Sequence, residues 1–214
     1  MKLTVRTLSK TLSRALPTKA LGLFREDLVT AQRRDPAATS ALEIALTYPG
    51  VHALWTHRVS HALWTHGAHT PARALSSMAR AVTGVDIHPE ATIGRRVFID
   101  HATGVVIGQT AEVGNDVVIF HGVTLGGVSM NPGKRHPTIG NNVQIGAGAK
   151  VLGPVTVEDN AKIGANAVVV KDVPCGNVAI GVPARLLPKP EKDTRDRDLI
   201  VDPNYFFEEP ALYI

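Results

Sequence analysis

The middle of the chain carries aliphatic residues at a regular spacing of six. Thirteen of the fourteen ladder positions hold Ile, Leu or Val, and the last holds Cys175. This period fits neither the 3.6 residues of an α-helical turn nor the alternation of one long strand. It fits short strands joined by tight corners, with one inward aliphatic residue on each side of a three-sided coil. The positions are Ile87, Ile93, Ile99, Ile107, Val113, Ile119, Leu125, Ile139, Ile145, Val151, Val157, Ile163, Val169 and Cys175.

A second set of small or branched residues follows the ladder four positions later. Its members are Ala91, Val97, Ala111, Val117, Ala149 and Ala167. We predict that both sets form the core of the coil. Because Cys175 is in register with the ladder, we expect it to be a small buried side chain rather than a nucleophile.

Before the ladder, the pattern predicts helices. A capping box of Ser40 and Glu43 precedes an apolar face that ends at Pro49 and Gly50. A second helix is expected over 51–66, and a third from Pro71 to Gly84. The expected organisation is a basic N-terminal helix at 1–25, a helical domain at 26–83, the repeat domain at 84–187 and a C-terminal tail at 188–214.

Composition excludes several classes of protein. The 214 residues are 44% hydrophobic and 20% charged, which is typical of a folded soluble chain. The net charge is +4, but residues 1–25 carry six basic and no acidic residues, so the remainder sums to −2 and offers no basic surface for nucleic acid. No apolar run reaches the roughly 18 residues of a membrane span. A single cysteine indicates a reducing compartment, and we expect the cytoplasm, although the acid-free leader is also typical of a transit peptide.

Histidine spacing gives only a weak indication of metal binding. His57 and His61 are four residues apart, which suits a metal ion on one helix face, but no Glu lies between them to act as a base. His121 follows His101 by twenty residues, a spacing that a zinc site between subunits could use. We predict no metal site, and we expect His88, two residues from Asp86, either to support a neighbouring site residue or to be structural.

The ladder is broken at two places, and these breaks are where we expect function. The step from Ile99 to Ile107 is eight, and the surplus falls on 100–104, which contains His101. The step from Leu125 to Ile139 is fourteen, so 127–137 forms a protruding loop containing Arg135 and His136. A candidate base and a cationic loop therefore emerge from one scaffold.

The motifs at and around these breaks closely resemble serine O-acetyltransferase, a family of hexapeptide-repeat acyltransferases, over roughly residues 33–187. They are Gly84-Val85-Asp86-Ile87-His88-Pro89, Asp100-His101-Ala102-Thr103-Gly104, Gly122-Val123-Thr124-Leu125-Gly126-Gly127, Arg135-His136-Pro137, Ile145-Gly146-Ala147-Gly148-Ala149-Lys150 and Gly181-Val182-Pro183-Ala184-Arg185. The resemblance implies a left-handed parallel β-helix with an N-terminal α-helical domain. It also implies a homotrimer or a dimer of trimers, and leaves the choice between them open.

The resemblance further implies the reaction. Acetyl-CoA, as a co-substrate with no permanently bound cofactor, would acetylate the hydroxyl of L-serine to give O-acetyl-L-serine, the first step of cysteine biosynthesis. Cysteine would inhibit at the serine site. A serine hydroxyl needs a neutral imidazole to remove its proton as it attacks the thioester. His101 matches the family's base, and Asp86 matches the carboxylate that orients it.

The remaining site residues follow from the same resemblance. Asp35 and Asp100 would bind the substrate ammonium, and Arg135 and His136 its carboxylate. Residues assigned to acetyl-CoA are Gly127, Ala147 and Ala165, which would line the groove, and Lys150 and Arg185, which would meet phosphates or remain solvated cations.

The tail gives the last expectation. Its final residues include four of the ten aromatic residues of the chain and end in Ile214. This is similar to the family's C-terminal isoleucine, which enters the active site of O-acetylserine sulfhydrylase, so we predict that partner. Two alternatives stay open: a scaffold protein that has lost turnover, and an acyltransferase of the same fold that acts on homoserine or a sugar.

Overall fold

The computed structural model describes residues 18–187, which form four helices followed by a β-helix. The helices are α1 (Thr18–Arg34), α2 (Ala41–Thr47), α3 (Pro49–Thr65) and α4 (His69–Thr83). Ser40 caps α2 by accepting a hydrogen bond from the Glu43 N–H at 3.2 Å, and α4 ends at Gly84, whose φ of 72° is left-handed. The three helices expected over 40–84 are therefore confirmed within about two residues. Helix α1 runs through the expected boundary at residue 25.

Fifteen short strands in this part of the chain build three sheets. They are β1 (Asp86–Ile87), β2 (Thr92–Ile93), β3 (Phe98–Ile99), β4 (Val106–Ile107), β5 (Glu112–Val113), β6 (Val118–Ile119), β7 (Thr124–Gly126), β8 (Thr138–Ile139), β9 (Gln144–Ile145), β10 (Lys150–Leu152), β11 (Thr156–Val157), β12 (Lys162–Ile163), β13 (Val168–Val169), β14 (Val178–Ile180) and β15 (Arg185–Leu187). Sheet A has the order β1-β4-β7-β10-β13, sheet B β11-β8-β5-β2, and sheet C β15-β14-β12-β9-β6-β3. All pairings are parallel except β14 with β15.

Consecutive strands belong to sheets A, B and C in turn, and three strands make one coil. The fold is a left-handed parallel β-helix with an N-terminal α-helical domain. Ladder residues stack in register, as in the pair Ile107 and Leu125. Their side chains fill the prism: Ile119, Leu125 and Ile145 have no exposed surface. The alanines of the second set are also buried, which confirms the predicted core.

Cys175 is the exception, and the expectation that it is buried is wrong. The step from Val169 to the next inward residue is four instead of the regular six, so Val173 pairs with Val157 and takes the inward position on sheet B. Six residues later Ala179 faces inward on sheet C. Cys175 is consequently exposed.

The helical domain packs on the outer face of sheet C. Phe98 and Val118 point outward from the first two coils and are buried against Ile44 and Val51 of the helices. Helix α3 begins so close to β3 that a Cβ at Gly50 would lie 2.1 Å from the carbonyl oxygen of Ile99. This contact holds the start of α3 beside the first break of the ladder.

Two groups of charges fasten α1. Asp27 accepts two hydrogen bonds from Arg58 of α3, at 2.9 and 2.7 Å, with its carboxylate fully buried. Glu26 pairs with Arg95 at 2.9 Å on the β-helix. Within 18–187 no helix is both long and apolar enough to cross a bilayer. Most of the basic leader, and the tail with Ile214, lie outside the described residues.

Candidate active site

The first break of the ladder projects His101 from the corner between sheets C and A. This C–A corner comprises 100–105, 120–123, 146–149 and 164–167 of successive coils. His101 and Ala102 both have left-handed backbones, with φ of 56° and 57°, which costs conformational energy for residues other than glycine. Ala102 turns into the core, whereas the His101 side chain is 72% exposed. The two surplus residues thus turn the imidazole outward.

Successive coils extend the C–A corner from His101 toward small residues. Gly122 N–H donates to the Thr103 carbonyl, Gly148 N–H to that of His121, and Asn166 N–H to that of Ala147. The rings of His101 and His121 meet edge to face, with centroids 5.7 Å apart. Ala147 and Ala165 occupy the equivalent positions of the next two coils, where the side chains are small.

Acidic residues converge on this corner from two elements. Asp100 lies next to His101, with Oδ2 3.8 Å from His101 Nε2. Asp35, just after α1, accepts hydrogen bonds from Ala37 N–H at 2.8 Å and from the Tyr48 hydroxyl at 2.6 Å. The bond to Asp35 raises the pKa of Tyr48 to about 12, with a smaller contribution from the charge of Asp100. Tyr48 therefore stands near both carboxylates.

Asp86 lies on the strand beside this corner but has another partner. Gly104 N–H donates to the Gly84 carbonyl at 2.9 Å, which sets the two segments side by side. The Asp86 carboxylate forms an ion pair with Arg80, Nε to Oδ2, at 3.7 Å. Among residues 18–187 of the single chain, no ion pair within 4.0 Å joins Asp86 to His101.

The second break projects from the A–B corner, which comprises 88–91, 108–111, 127–137 and 153–155. His136 is buried there: its Nδ1 lies 3.2 Å from Thr110 N and 2.9 Å from Thr110 Oγ1. The Thr110 oxygen accepts the N–H groups of Arg135 and His136, so its own hydrogen points to Nδ1. Since Nδ1 accepts both bonds, the neutral ring carries its hydrogen on Nε2. Burial lowers the pKa of His136, helped by Arg135 and Lys134, which favours this neutral form.

Arg135 is half-buried in the same corner. Its Nη2 donates to Gln109 Oε1 at 2.5 Å, and Gln109 Nε2 donates to Glu90 Oε2 at 2.6 Å. Neighbouring Lys134 pairs with Glu112 at 2.8 Å. The loop is thus fastened to the coil that precedes it, and Gln109 links that coil to Glu90 of the first.

The residues expected to bind acetyl-CoA are divided between the corners. Lys150 Nζ donates to the Gly122 carbonyl beside His121. Gly127 lies at the A–B corner, where an added Cβ would be 3.1 Å from the Arg135 carbonyl oxygen. Arg185 is exposed on β15 at the far end of the described chain.

His57 is buried and His61 is half-buried, between the helices and the first coil. Burial lowers the pKa of His57 to about 3, and its Nδ1 has no hydrogen-bond partner. Across 18–187 there is no group of three or more His, Cys, Asp or Glu side chains placed to hold a metal ion.

Comparison with known proteins decides the family. Residues 136–171 match the family described as bacterial transferase hexapeptide (six repeats). A relative from Mycobacterium tuberculosis named serine acetyltransferase is 61% identical over 167 residues, 78% of this chain and 73% of the relative. The chain belongs to the serine acetyltransferase family. It is therefore an acyltransferase, and the predicted fold and enzyme class are confirmed.

Solved serine acetyltransferases have the same fold. The Neisseria gonorrhoeae structure described as a complex with serine has a TM-score of 0.79 and 44% identity, over 86% of this chain and 75% of that one. A Brucella abortus structure described as a complex with coenzyme A has a TM-score of 0.81 and 40% identity, over 88% of this chain and 74% of that one.

In this acetyltransferase the sequence-predicted residues fall into two groups. His101, Asp100, Asp35, Ala147, Ala165 and Lys150 lie at or beside the C–A corner, whereas Arg135, His136 and Gly127 lie at the A–B corner. Sequence reasoning missed Tyr48, Thr110, Gln109 and Glu90. Tyr48 precedes a helix start at Pro49, which was its only local signal. The others contact site residues distant in sequence.

Proposed function

We propose that this chain transfers the acetyl group of acetyl-CoA to the hydroxyl of L-serine, with His101 as the general base. The observation that carries the proposal is the exposed imidazole on a strained corner, next to Asp100 at 3.8 Å. Family membership and the relatives described with serine and with coenzyme A support the two substrates.

The reaction needs no covalent enzyme intermediate. His101 takes the hydroxyl proton as the serine oxygen attacks the thioester carbonyl, which gives a tetrahedral oxyanion. A backbone N–H near Gly127 stabilises this oxyanion. When the intermediate collapses, the C–S bond breaks and the imidazolium returns its proton to the departing thiolate, so that CoA leaves as a free thiol.

Asp86 orients the base. Its segment lies beside that of His101 through the bond between Gly104 and Gly84, and its ion pair with Arg80 is solvent-exposed and therefore weak. A carboxylate released from Arg80 fixes the imidazole tautomer and stabilises the imidazolium.

The charges suit a zwitterionic amino acid. Asp35 and Asp100 bind the ammonium, and Arg135 binds the carboxylate. His136 contributes an Nε2–H donor to the same carboxylate, because its Nδ1 is already an acceptor. Acetyl-CoA lies along the small residues of the C–A corner, Ala147 and Ala165, with Lys150 and Arg185 toward its phosphates.

A second copy of the chain completes the site. The two corners lie at opposite ends of the sheet A side, which spans about 15 Å at ~3.3 Å per residue, so one serine cannot reach both. In a homotrimer, or a dimer of trimers, the C–A corner of one copy meets the A–B corner of the next.

A mixing experiment tests this arrangement. His101→Ala and Arg135→Ala chains are unfolded together, refolded and assayed. If the corners come from different copies, about a quarter of the sites in random mixtures regain both residues, and activity returns toward that fraction. No recovery beyond the sum of the separate variants would place both residues in one chain's site.

The tail is proposed to bind O-acetylserine sulfhydrylase through Ile214. Deletion of the last ten residues is expected to abolish co-purification with that enzyme and to spare acetyl transfer. Binding that persists after the deletion would contradict this partner. The cytoplasm remains the expected compartment.

The substrate test follows CoA thiol release with a series of acceptors. L-Serine should support release. N-Acetylserine lacks the ammonium, serinamide lacks the carboxylate and homoserine is longer by one methylene group, so each should be a poorer acceptor by at least about tenfold. Equal rates with homoserine or a sugar would favour another acyltransferase of this fold.

A further inference from the structure

We infer that Glu90 and Gln109 are positioning residues for the guanidinium of Arg135. This inference rests on the proposed function, in which Arg135 binds the substrate carboxylate. The three residues lie at the A–B corner of three successive coils: Glu90 in the first, Gln109 in the second and Arg135 in the loop of the third.

Hydrogen bonds join them in one line. Arg135 Nη2 donates to Gln109 Oε1 at 2.5 Å, and Gln109 Nε2 donates to Glu90 Oε2 at 2.6 Å. Only this orientation of the amide satisfies both neighbours, because the flipped amide would turn its NH₂ toward a guanidinium and its oxygen toward a carboxylate. Each bond has one charged partner, which makes it stronger than a bond between neutral groups.

The line holds one end of a planar group. With Nη2 fixed on Gln109, rotation of the guanidinium is restricted, and its other nitrogens are free to be directed at a carboxylate. The backbone N–H of Arg135 is fixed as well, by Thr110 Oγ1 at 3.0 Å. Both ends of a long side chain are therefore held before substrate binds, which reduces the entropy lost on binding.

Other charges at this corner do not replace Glu90. Glu112 is paired with Lys134 at 2.8 Å. Burial lowers the pKa of His88 to about 4, and it also lowers that of His136, so both rings are neutral near pH 7. Glu90 is thus the carboxylate that is linked to Arg135 through hydrogen bonds. The neutral amide of Gln109 forms this link and holds the guanidinium without adding a second negative charge.

Four variants test the relay. Gln109→Met keeps side-chain length but removes both bonds, and Gln109→Glu puts a second carboxylate against Glu90. Both are expected to raise the KM for serine about tenfold, with kcat and the KM for acetyl-CoA within about threefold of the parent. The double variant Glu90→Gln/Gln109→Glu restores donor and acceptor along the line, so its serine KM should return to within about threefold. Glu158→Gln is the matched control: this exposed carboxylate accepts the Cys175 N–H away from the A–B corner, and its substitution should leave the serine KM unchanged.

The outcomes separate this inference from the proposed function. A parent chain that releases no thiol with serine, or an Arg135→Lys variant with an unchanged serine KM, contradicts the proposed function itself. If Arg135→Lys raises the KM but Gln109→Met does not, or if the double variant is no better than Gln109→Glu, the relay is wrong. Crystal structures of the parent and Gln109→Met provide a readout without turnover: the guanidinium should change position, and an unchanged position would overturn the inference.

Discussion

The Tyr48 hydroxyl donates a hydrogen bond to Oδ2 of Asp35 over 2.6 Å, while the other carboxylate oxygen accepts the Ala37 N–H over 2.8 Å. Both oxygens of a residue proposed to bind the substrate ammonium are therefore fixed in place. Since the bond to Asp35 raises the pKa of Tyr48 to about 12, the hydroxyl remains a donor throughout the neutral range.

Tyr48→Phe is expected to raise the KM for serine about five- to tenfold, with kcat changed less, because the freed carboxylate loses its fixed direction. Asp35→Asn alone should raise the KM further. Steady-state kinetics of the single and double variants check the dependence: Tyr48→Phe should add little to Asp35→Asn. Independent effects of the two substitutions would contradict this role of Tyr48.

Gly108→Ala is expected to displace His136. The added Cβ would lie 2.0 Å from His136 Cδ2, so the ring must leave its place on Thr110. We expect a serine KM raised by about tenfold and a lower melting temperature. The control is Gly22→Ala on α1, where a Cβ meets no atom within 4 Å and should stabilise the helix by about 0.5–1 kcal/mol. An unchanged serine KM in Gly108→Ala would remove His136 from the substrate site.

The buried ion pair between Arg58 and Asp27 should be costly to break on one side. Burial raises the pKa of Asp27, and Arg58 opposes that rise. Arg58→Leu leaves a buried carboxylate without its partner and should cost about 3–5 kcal/mol of unfolding free energy. The double variant Asp27→Leu/Arg58→Leu should recover most of this loss. Urea denaturation followed by circular dichroism distinguishes the cases, and equal stability of all three proteins would contradict the account.

Stability should fall in mild acid because of His57. Burial lowers its pKa from 6.5 to about 3, so the unfolded chain binds a proton that the folded chain does not between these values. Its contribution is complete above about pH 6.5 and is lost as the pH falls toward 3. His57→Leu should reduce the slope of unfolding free energy against pH by up to about 1.4 kcal/mol per pH unit in that window. A parent-like slope in His57→Leu would contradict this assignment.

The sequence predicts most of the coil, because each inward position of this narrow three-sided core needs one aliphatic side chain, and these side chains recur every six residues. It fails at Cys175, where a step of four instead of six transfers the inward position to Val173. The aliphatic Val173 six residues before Ala179 was a usable signal, but a strict period of six obscured it.

The site was only partly predictable for a different reason. His101 and Arg135 stand at breaks in the period, so the pattern itself points to them. Tyr48 contacts Asp35, and Glu90 reaches Arg135 through Gln109. These contacts join separate elements, and a single sequence does not reveal which elements a side chain reaches. The ion pair of Asp86 with Arg80 is also a tertiary contact between α4 and β1 that periodicity does not predict.

We propose that His101, and not the neighbouring His121, is the base. The most direct measurement is kcat for thiol release from acetyl-CoA with saturating serine, compared between His101→Ala and His121→Ala. We expect His101→Ala to lower kcat by about 10²–10⁴ and His121→Ala to stay within about tenfold of the parent. The reverse order, or a folded His101→Ala enzyme with parent-like kcat, would contradict the mechanism.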